Sequence, residues 1–289
     1  MAQGLLLGEL TILSIAGADR VKIANNLATQ DLKSLSTGQV AETFITDVKG
    51  RTLSHGVVVA REDSLWFISS PGQGPRLATH VDRYIIREDV AVQDVSCQWD
   101  AVLFFSMDDA AAFATAPSGG PVFVVSVPWV VGGGLVFIPA GELSRINQPD
   151  TDFVIATSDT SMRVGWERAR IEAFWPWYGV DLDDRNLPQE AGVDARAISF
   201  KKGCYLGQET VARLDALGQV QKRLVKLAFA KMPNVELPFS IEADGKEIGT
   251  LTSLAATQSG GGIGLAMIRR SHFRSGTQFA VAESVAEVL

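Results

Sequence analysis

The sequence predicts an α+β fold that ends in a small antiparallel β-barrel. Two observations carry this. Helix-like and strand-like segments alternate irregularly through roughly the first 150 residues, without the strict repeat of a βαβ protein. After Gly218 the texture changes to short strands of alternating hydrophobicity joined by tight turns. The expected division is an α+β region over 1–217, in two lobes that part near residue 100, and a barrel domain over 218–289. A chain of 289 residues is long enough for both.

Taken in order, LTILSIAGADRVKIANNLATQDL reads as strand, turn and helix, with Asp19 at the N-cap and Val21, Ala24 and Leu27 near one face. AETFITDVKGRTLSHGVVVA and SLWFISS have strand composition, with Lys49-Gly50 as a turn. GPRLATHVDRYIIRE places Leu77, Val81 and Tyr84 at helical spacing. Strand-like VAVQDVSC and DAVLFFSM follow, then MDDAAAFATA as an Asp-capped helix. A helix is expected between Ser158 and Phe174, followed by a long ordered loop through WPWYGVDLDDRNLPQEAG. AISF is expected as a short strand, and Gly218 as the residue that ends the next helix. In the barrel, RLVKLAFA, the Asp244-Gly245 hairpin, GIGLAMIRRS and QFAVAES supply strands.

The charge of −7 argues against a protein that coats nucleic acid, so no direct nucleic-acid binding is expected. Cys97 and Cys204 lie far apart, with no metal-type spacing around either, and no metal site is expected. The first residues lack a basic, apolar leader. The uncharged stretch from Pro121 to Ala140 is interrupted by Pro128 and Gly132-Gly133-Gly134, and reads as two buried strands rather than a span. A cytoplasmic protein is the expectation. No dinucleotide fingerprint, P-loop or G-x-S-x-G is present, and the three histidines are scattered.

Two stretches carry chemistry. In FKKGCYLGQETVAR, a helix beginning near Cys204 would aim its N-terminal amides at the thiol, and Lys201 and Lys202 would add positive charge. Gly203 would supply a left-handed turn. On that helix Gln208 shares the face of Cys204. Tyr205, Glu209 and Arg213 form a second stripe, and Leu206, Thr210, Leu214 and Leu217 a third, buried one. The alternative is a small inert cysteine at an ordinary turn, with Glu209 and Arg213 as a surface pair. In RARIEAFWPWYG, Trp166, Trp175 and Trp177 cluster beside Glu172. They could stack a flat heterocycle whose N–H groups the carboxylate accepts, or form an interdomain core that leaves Glu172 exposed.

These stretches resemble the YgfZ-type folate-binding proteins, relatives of the glycine-cleavage T-protein (aminomethyltransferase). FKKGCYLGQETVAR is similar to the K-G-C-Y-x-G-Q-E signature. ERARIEAFWPWYGVDLDDRNLPQEAGVDARAISF is similar to the R-I-E-A-G segment that runs into L-P-x-E, and KGRTLSHGVVV to the K-G-(K/R) strand. The resemblance implies an aminomethyltransferase-like, multi-lobed fold around a channel, with tetrahydrofolate or a related reduced folate as ligand. It implies Glu172 as the pterin-recognising carboxylate, with Trp175, Tyr205, Glu209 and Arg213 also about the ligand. Cys204, Lys202 and Gln208 are implied as the working residues of the signature loop. The implied role is accessory: support of iron–sulfur cluster assembly or repair and, through it, tRNA modification, with iron–sulfur proteins as partners. The alternative is a folate-dependent aminomethyltransferase. Two departures bear on this. The carboxylate that follows the turn glycine in the aminomethyltransferases is missing, its slot being held by Leu53, Ser54 and His55, and Phe174 stands where the family has glycine. Its ring would close part of the pterin pocket or stack on the pterin.

Overall fold

A computed structural model describes residues 2–115, 122–143, 153–218 and 220–289. Three five- or six-stranded sheets organise the described residues. One sheet has the order 40–46, 52–60, 64–69, 11–16 and 91–94, all antiparallel. A second has the order 153–156, 2–8, 99–104, 134–139 and 123–126; its 2–8 strand pairs parallel with 153–156, and its other pairs are antiparallel. The uncharged stretch therefore forms strands Phe123–Ser126 and Gly134–Pro139, paired as a hairpin. Among the described residues, no helix is long and apolar enough to cross a membrane.

The third sheet runs 239–243, 246–256, 262–269, 222–229, 284–288 and 278–281, antiparallel throughout. Its two edge strands touch, which nearly closes it into a barrel. Asp244, at φ 52°, and Gly245, at φ 70°, make the left-handed turn that a two-residue hairpin requires. One strand goes beyond expectation: after Ala282 and Glu283 the chain returns as Ser284–Val288 beside Gln278–Val281.

The helix Thr160–Glu172 packs on the barrel strand Lys246–Ala256. Asp159 caps it, accepting from Ser161 N at 2.8 Å and Met162 N at 3.1 Å. Near its end Arg170 meets Asp181 of the following loop at 2.8 Å and donates to Ser253 Oγ of the barrel at 2.6 Å. Asp181 also accepts from Trp177 N and from the Thr252 and Ser253 hydroxyls. Arg170 and Asp181 are both buried, and this dense bonding is what makes two desolvated charges tolerable.

The strand expected at 197–200 is not formed. Asp194–Ala197 is one helical turn, and the backbone beyond it pairs with the segment around Asn26: Ser199 N donates to Thr29 O at 3.0 Å and Leu206 N to Asn26 O at 2.8 Å. Asn26 lies in the Arg20–Leu27 helix and Thr29 in a bend just beyond it, so no ladder develops.

Candidate functional site

The signature helix spans Gln208–Leu217, four residues later than expected. The left-handed residue is Gly207, at φ 79°, not Gly203. A Cβ on Gly207 would lie 2.5 Å from Asp47 O and 2.7 Å from the Gly50 Cα, so the Asp47–Arg51 turn seats directly on the helix start. Gly218, at φ 65°, closes the helix as expected.

Cys204 is consequently not at a helix N-terminus. It is exposed, in irregular chain ahead of the helix. Lys202 points the other way. It is buried, and its Nζ donates to Asn25 O at 2.7 Å, Ala28 O at 2.8 Å and Gln30 O at 2.7 Å. Burial pulls its ammonium down to about 8, while the three carbonyls favour the charged form. This lysine is a staple between the signature loop and the Arg20–Leu27 helix. It stands over the Tyr205 ring at 5.2 Å. Tyr205 is itself buried, in a cluster with Phe44, Tyr178 and Val211, and burial raises its hydroxyl to about 12.

Gln208 is the first helical residue and half-buried; Glu209 is exposed and forms no ion pair with Arg213. The buried face runs through Val211 instead of the Leu206–Thr210 stripe, because the helix starts later. Arg213 lines a cleft of about 340 Å³ with Lys49, Arg51, Arg185 and Thr210.

The tryptophan cluster takes the buried alternative. Trp175 is 1% exposed, its ring 5.5 Å from Trp129 and 4.4 Å from His55. It has no open face on which to stack a ligand. Glu172 is exposed at the helix end, 3.8 Å from Arg168. Phe174 takes φ 52°, a conformation natural to glycine at a helix C-terminus, which explains the family's preference for glycine there. Its ring packs among the chain's own apolar side chains. It packs over Gly192, whose Cβ would lie 3.2 Å from Cε1, against the clusters that hold Leu224 and Leu265.

Sequence reasoning passed over Glu42, His55 and Arg196. Glu42 is 7% exposed, in a strand beside that of His55. His55 Nε2 lies 2.9 Å from Glu42 Oε1, and His55 Nδ1 lies 3.1 Å from Pro176 O. A carbonyl can only accept, so Nδ1 donates to it, and a second proton sits between Nε2 and Oε1. Arg196 places Nε 2.9 Å from Glu42 Oε2 and donates from its other nitrogens to Ala173 O and Phe174 O. The Arg196–Oε2 contact is an ion pair by distance but not a hydrogen bond by direction, and Oε2 has no hydrogen-bond donor. Glu42 and Arg196 line a cavity of about 610 Å³ together with Gln30, Asp31, Val40, Ala41, Val127 and Pro128. A larger cleft of about 940 Å³ lies between residues 179–190 and the barrel, lined by many charged side chains of both signs. The one available signal was the sequence neighbour: His55 stands in the slot where a carboxylate was missed, and Glu42 supplies a carboxylate to it across the strand pair.

No family model matches the chain. A putative chloroplastic transferase of Arabidopsis thaliana is 26% identical over 300 residues, covering 96% of this chain and 67% of that protein. The tRNA-modifying protein YgfZ of Yersinia enterocolitica is 27% identical, covering 77% and 69%. A mitochondrial iron–sulfur cluster assembly factor IBA57 homolog of Pyricularia oryzae is 27% identical, covering 74% of this chain and 54% of that protein. The glycine cleavage system aminomethyltransferase T of Bartonella henselae superposes with a TM-score of 0.82 over all of this chain and 84% of its own, at 14% identity. The aminomethyltransferase-like fold expected from the signature is thus the observed one.

Proposed function

We propose that this chain, which belongs to the YgfZ-type family related to the glycine-cleavage T-protein, binds a reduced folate and serves iron–sulfur cluster assembly or repair and, through it, tRNA modification. The observation that carries the folate reading is the 610 Å³ cavity, lined by apolar Val40, Ala41, Val127 and Pro128 together with Arg196 and the carboxylates Asp31 and Glu42. That donor set suits a flat heterocycle bearing N–H groups and an anionic tail better than the wide, solvated cleft beside the barrel does. Tetrahydrofolate would supply a one-carbon carrier there. The chain's own part is to seat the ring against Val127 and Pro128, exclude water from one face, and offer acceptors to its N–H edge. Glu172 belongs to this reading as a rim carboxylate, one and two residues from the Ala173 and Phe174 carbonyls that Arg196 holds.

In this reading Cys204 is the exposed thiol that meets the iron–sulfur partner, and Lys202 shapes the loop that presents it. The test has two arms. Calorimetry with tetrahydrofolate, 5-formyltetrahydrofolate and folic acid should give micromolar binding to the reduced forms. Cys204→Ala should keep folding and folate affinity but abolish rescue of iron–sulfur enzyme activity in cells; full rescue removes the thiol from the mechanism. A second reading, one-carbon transfer, is favoured by the Glu42–His55 pair in the slot where a carboxylate was missed. Stoichiometric formation of methylenetetrahydrofolate from a protein-bound aminomethyl donor would establish it in place of the accessory role.

A further inference from the structure

Arg213, implied by the signature to stand about the folate, lines the 340 Å³ cleft instead, and that cleft shares no lining residue with the 610 Å³ cavity. Lys49, Arg51, Arg185 and Arg213 border it with Leu187 and Thr210, and Glu190 is its one carboxylate among the described residues. These cations gather in a chain of formal net charge −7. Two of the local charges are already answered. Arg185 pairs with Asp183, with Asp184 adding attraction. Glu190 has Lys222 3.6 Å away, and its Oε2 accepts from Asn186 Nδ2 and Leu187 N. Lys49, Arg51 and Arg213 form no ion pair among the described residues. Asp47 turns Oδ1 to the backbone amides of Lys49 and Arg51, at 2.8 Å each, and Glu209 is exposed and forms no pair with Arg213.

The contact that seats the signature loop also holds this cluster. Lys49 and Arg51 flank Gly50, on which a Cβ would lie 2.9 Å from the Thr210 Cβ. Thr210 and Arg213 are one turn apart on the Gln208–Leu217 helix and share a face. Arg51 Nη1 donates to Arg185 O at 2.9 Å, which ties the 47–51 turn to the loop before Pro188. Three segments far apart in sequence thus bring their cations to one place. Like charges held together repel, and an anion among them relieves that repulsion.

We infer that this cleft binds a phosphate group, as inorganic phosphate or as the terminal phosphate of a small monoester. The inference stands on the cation cluster and does not rest on the folate reading. Three cations that reach in from a turn and from a helix suit a dianion with oxygens on several sides. A carboxylate offers two oxygens in one plane and a single charge. A long polyanion fits less well, because beyond this cleft it would meet Asp183, Glu190 and Glu247 of the adjoining 940 Å³ cleft and an acidic protein at large.

The test is an amide NMR titration of the full chain, with inorganic phosphate replacing chloride at constant ionic strength. The amides of Arg51, Thr210 and Arg213 should shift along one saturating curve at millimolar phosphate, and acetate should bind about 5-fold more weakly or worse. The Arg213 side chain makes no bond within the described protein, so Arg213→Gln should fold as wild type and weaken phosphate about 5-fold or more. Arg51→Gln combined with it should abolish saturation. Lys231→Gln removes the same charge at an exposed lysine that lines neither cleft, and should leave the curve unchanged. Glycerol phosphate separates the two sources: tighter binding than inorganic phosphate assigns the site to a monoester, and weaker or equal binding to free phosphate. Shifts that never saturate, or an equal loss in Lys231→Gln, would reduce the cluster to a diffuse surface field and overturn the inference. Acetate that binds as well as phosphate overturns the phosphate assignment. An RNA oligonucleotide that excludes phosphate and is itself lost in the double variant overturns the small-ligand assignment.

Discussion

Gly50 and Gly207 meet back to back, and that contact sets the signature loop on the rest of the molecule. A Cβ on Gly207 would come within 2.7 Å of the Gly50 Cα, and one on Gly50 within 2.9 Å of Gly207 O. Both glycines also have positive φ, 75° and 79°. Gly203, four residues before Gly207, has neither constraint: nothing lies within 4 Å of a Cβ built on it.

The two glycines of the signature should therefore behave oppositely. Gly207→Ala should cost more than the roughly 1–2 kcal/mol of a left-handed alanine alone, because the overlap with Asp47 and Gly50 backbone adds to it. Gly203→Ala should fall within about 0.5 kcal/mol of wild type. Urea unfolding of both variants measures this; equal, small losses would show that the turn and helix yield easily.

Lys202 and Cys204 should separate stability from chemistry. Lys202→Met keeps the alkyl stem but takes the donor from the Asn25, Ala28 and Gln30 carbonyls, at an expected cost of about 2–3 kcal/mol. Cys204→Ser, at an exposed position, should unfold within about 0.5 kcal/mol of wild type. If Lys202→Met melts with wild type yet loses function in cells, the lysine acts chemically and the staple is incidental.

Why one of these residues was misread in the sequence is itself physical. KKG looked like a solvated cationic turn because Lys202's acceptors lie more than 170 residues away, at the end of the Arg20–Leu27 helix. The helix start was misplaced because only the Asp47–Arg51 turn shows which glycine must be left-handed. Glu42 and His55 were invisible for a similar reason: a strand-to-strand contact, completed by Arg196 from 154 residues away, leaves no local pattern. What local chemistry governs was legible. Asp244-Gly245 in a hairpin and Gly218 at a helix end each act within a few residues. The signature stretch also carried the fold, because its spacing is long and specific.

Tyr205 gives a pH dependence whose sign is fixed. Burial raises its hydroxyl from the usual 10 to about 12, with Asp215 adding in the same direction. The folded state thus holds the proton more tightly than the unfolded one. Its contribution, of order 2–3 kcal/mol, is fully present below pH 10 and disappears as pH rises through 12. By then Lys202, pulled down to about 8, no longer stands charged over the ring. Absorbance titration of tyrosinate should show a component near pH 12 that Tyr205→Phe removes. The difference in unfolding free energy between wild type and that variant should be flat below pH 10 and shift only above it. A shift confined to lower pH would place the titrating group elsewhere.

The Arg170–Asp181 pair should be the joint between the 160–172 helix and the barrel. Asp181→Ala removes the acceptor for Arg170, Trp177 N, Thr252 and Ser253 at one stroke, and leaves a buried guanidinium with only Glu167 as its carboxylate. Breaking a buried pair in this way costs about 3–5 kcal/mol. Asp181→Asn keeps the side chain's volume and one acceptor oxygen, and should cost less. Because the same loop leads from the helix to the 610 Å³ cavity through Pro176, whose carbonyl holds His55, the damage should extend to the ligand. Folate affinity of Asp181→Asn should drop at a temperature where the chain is still folded. Hydrogen exchange should show faster opening of the barrel strand 246–256 in that variant. Unaltered exchange in that strand together with wild-type affinity would mean that the barrel docks through its apolar contacts alone.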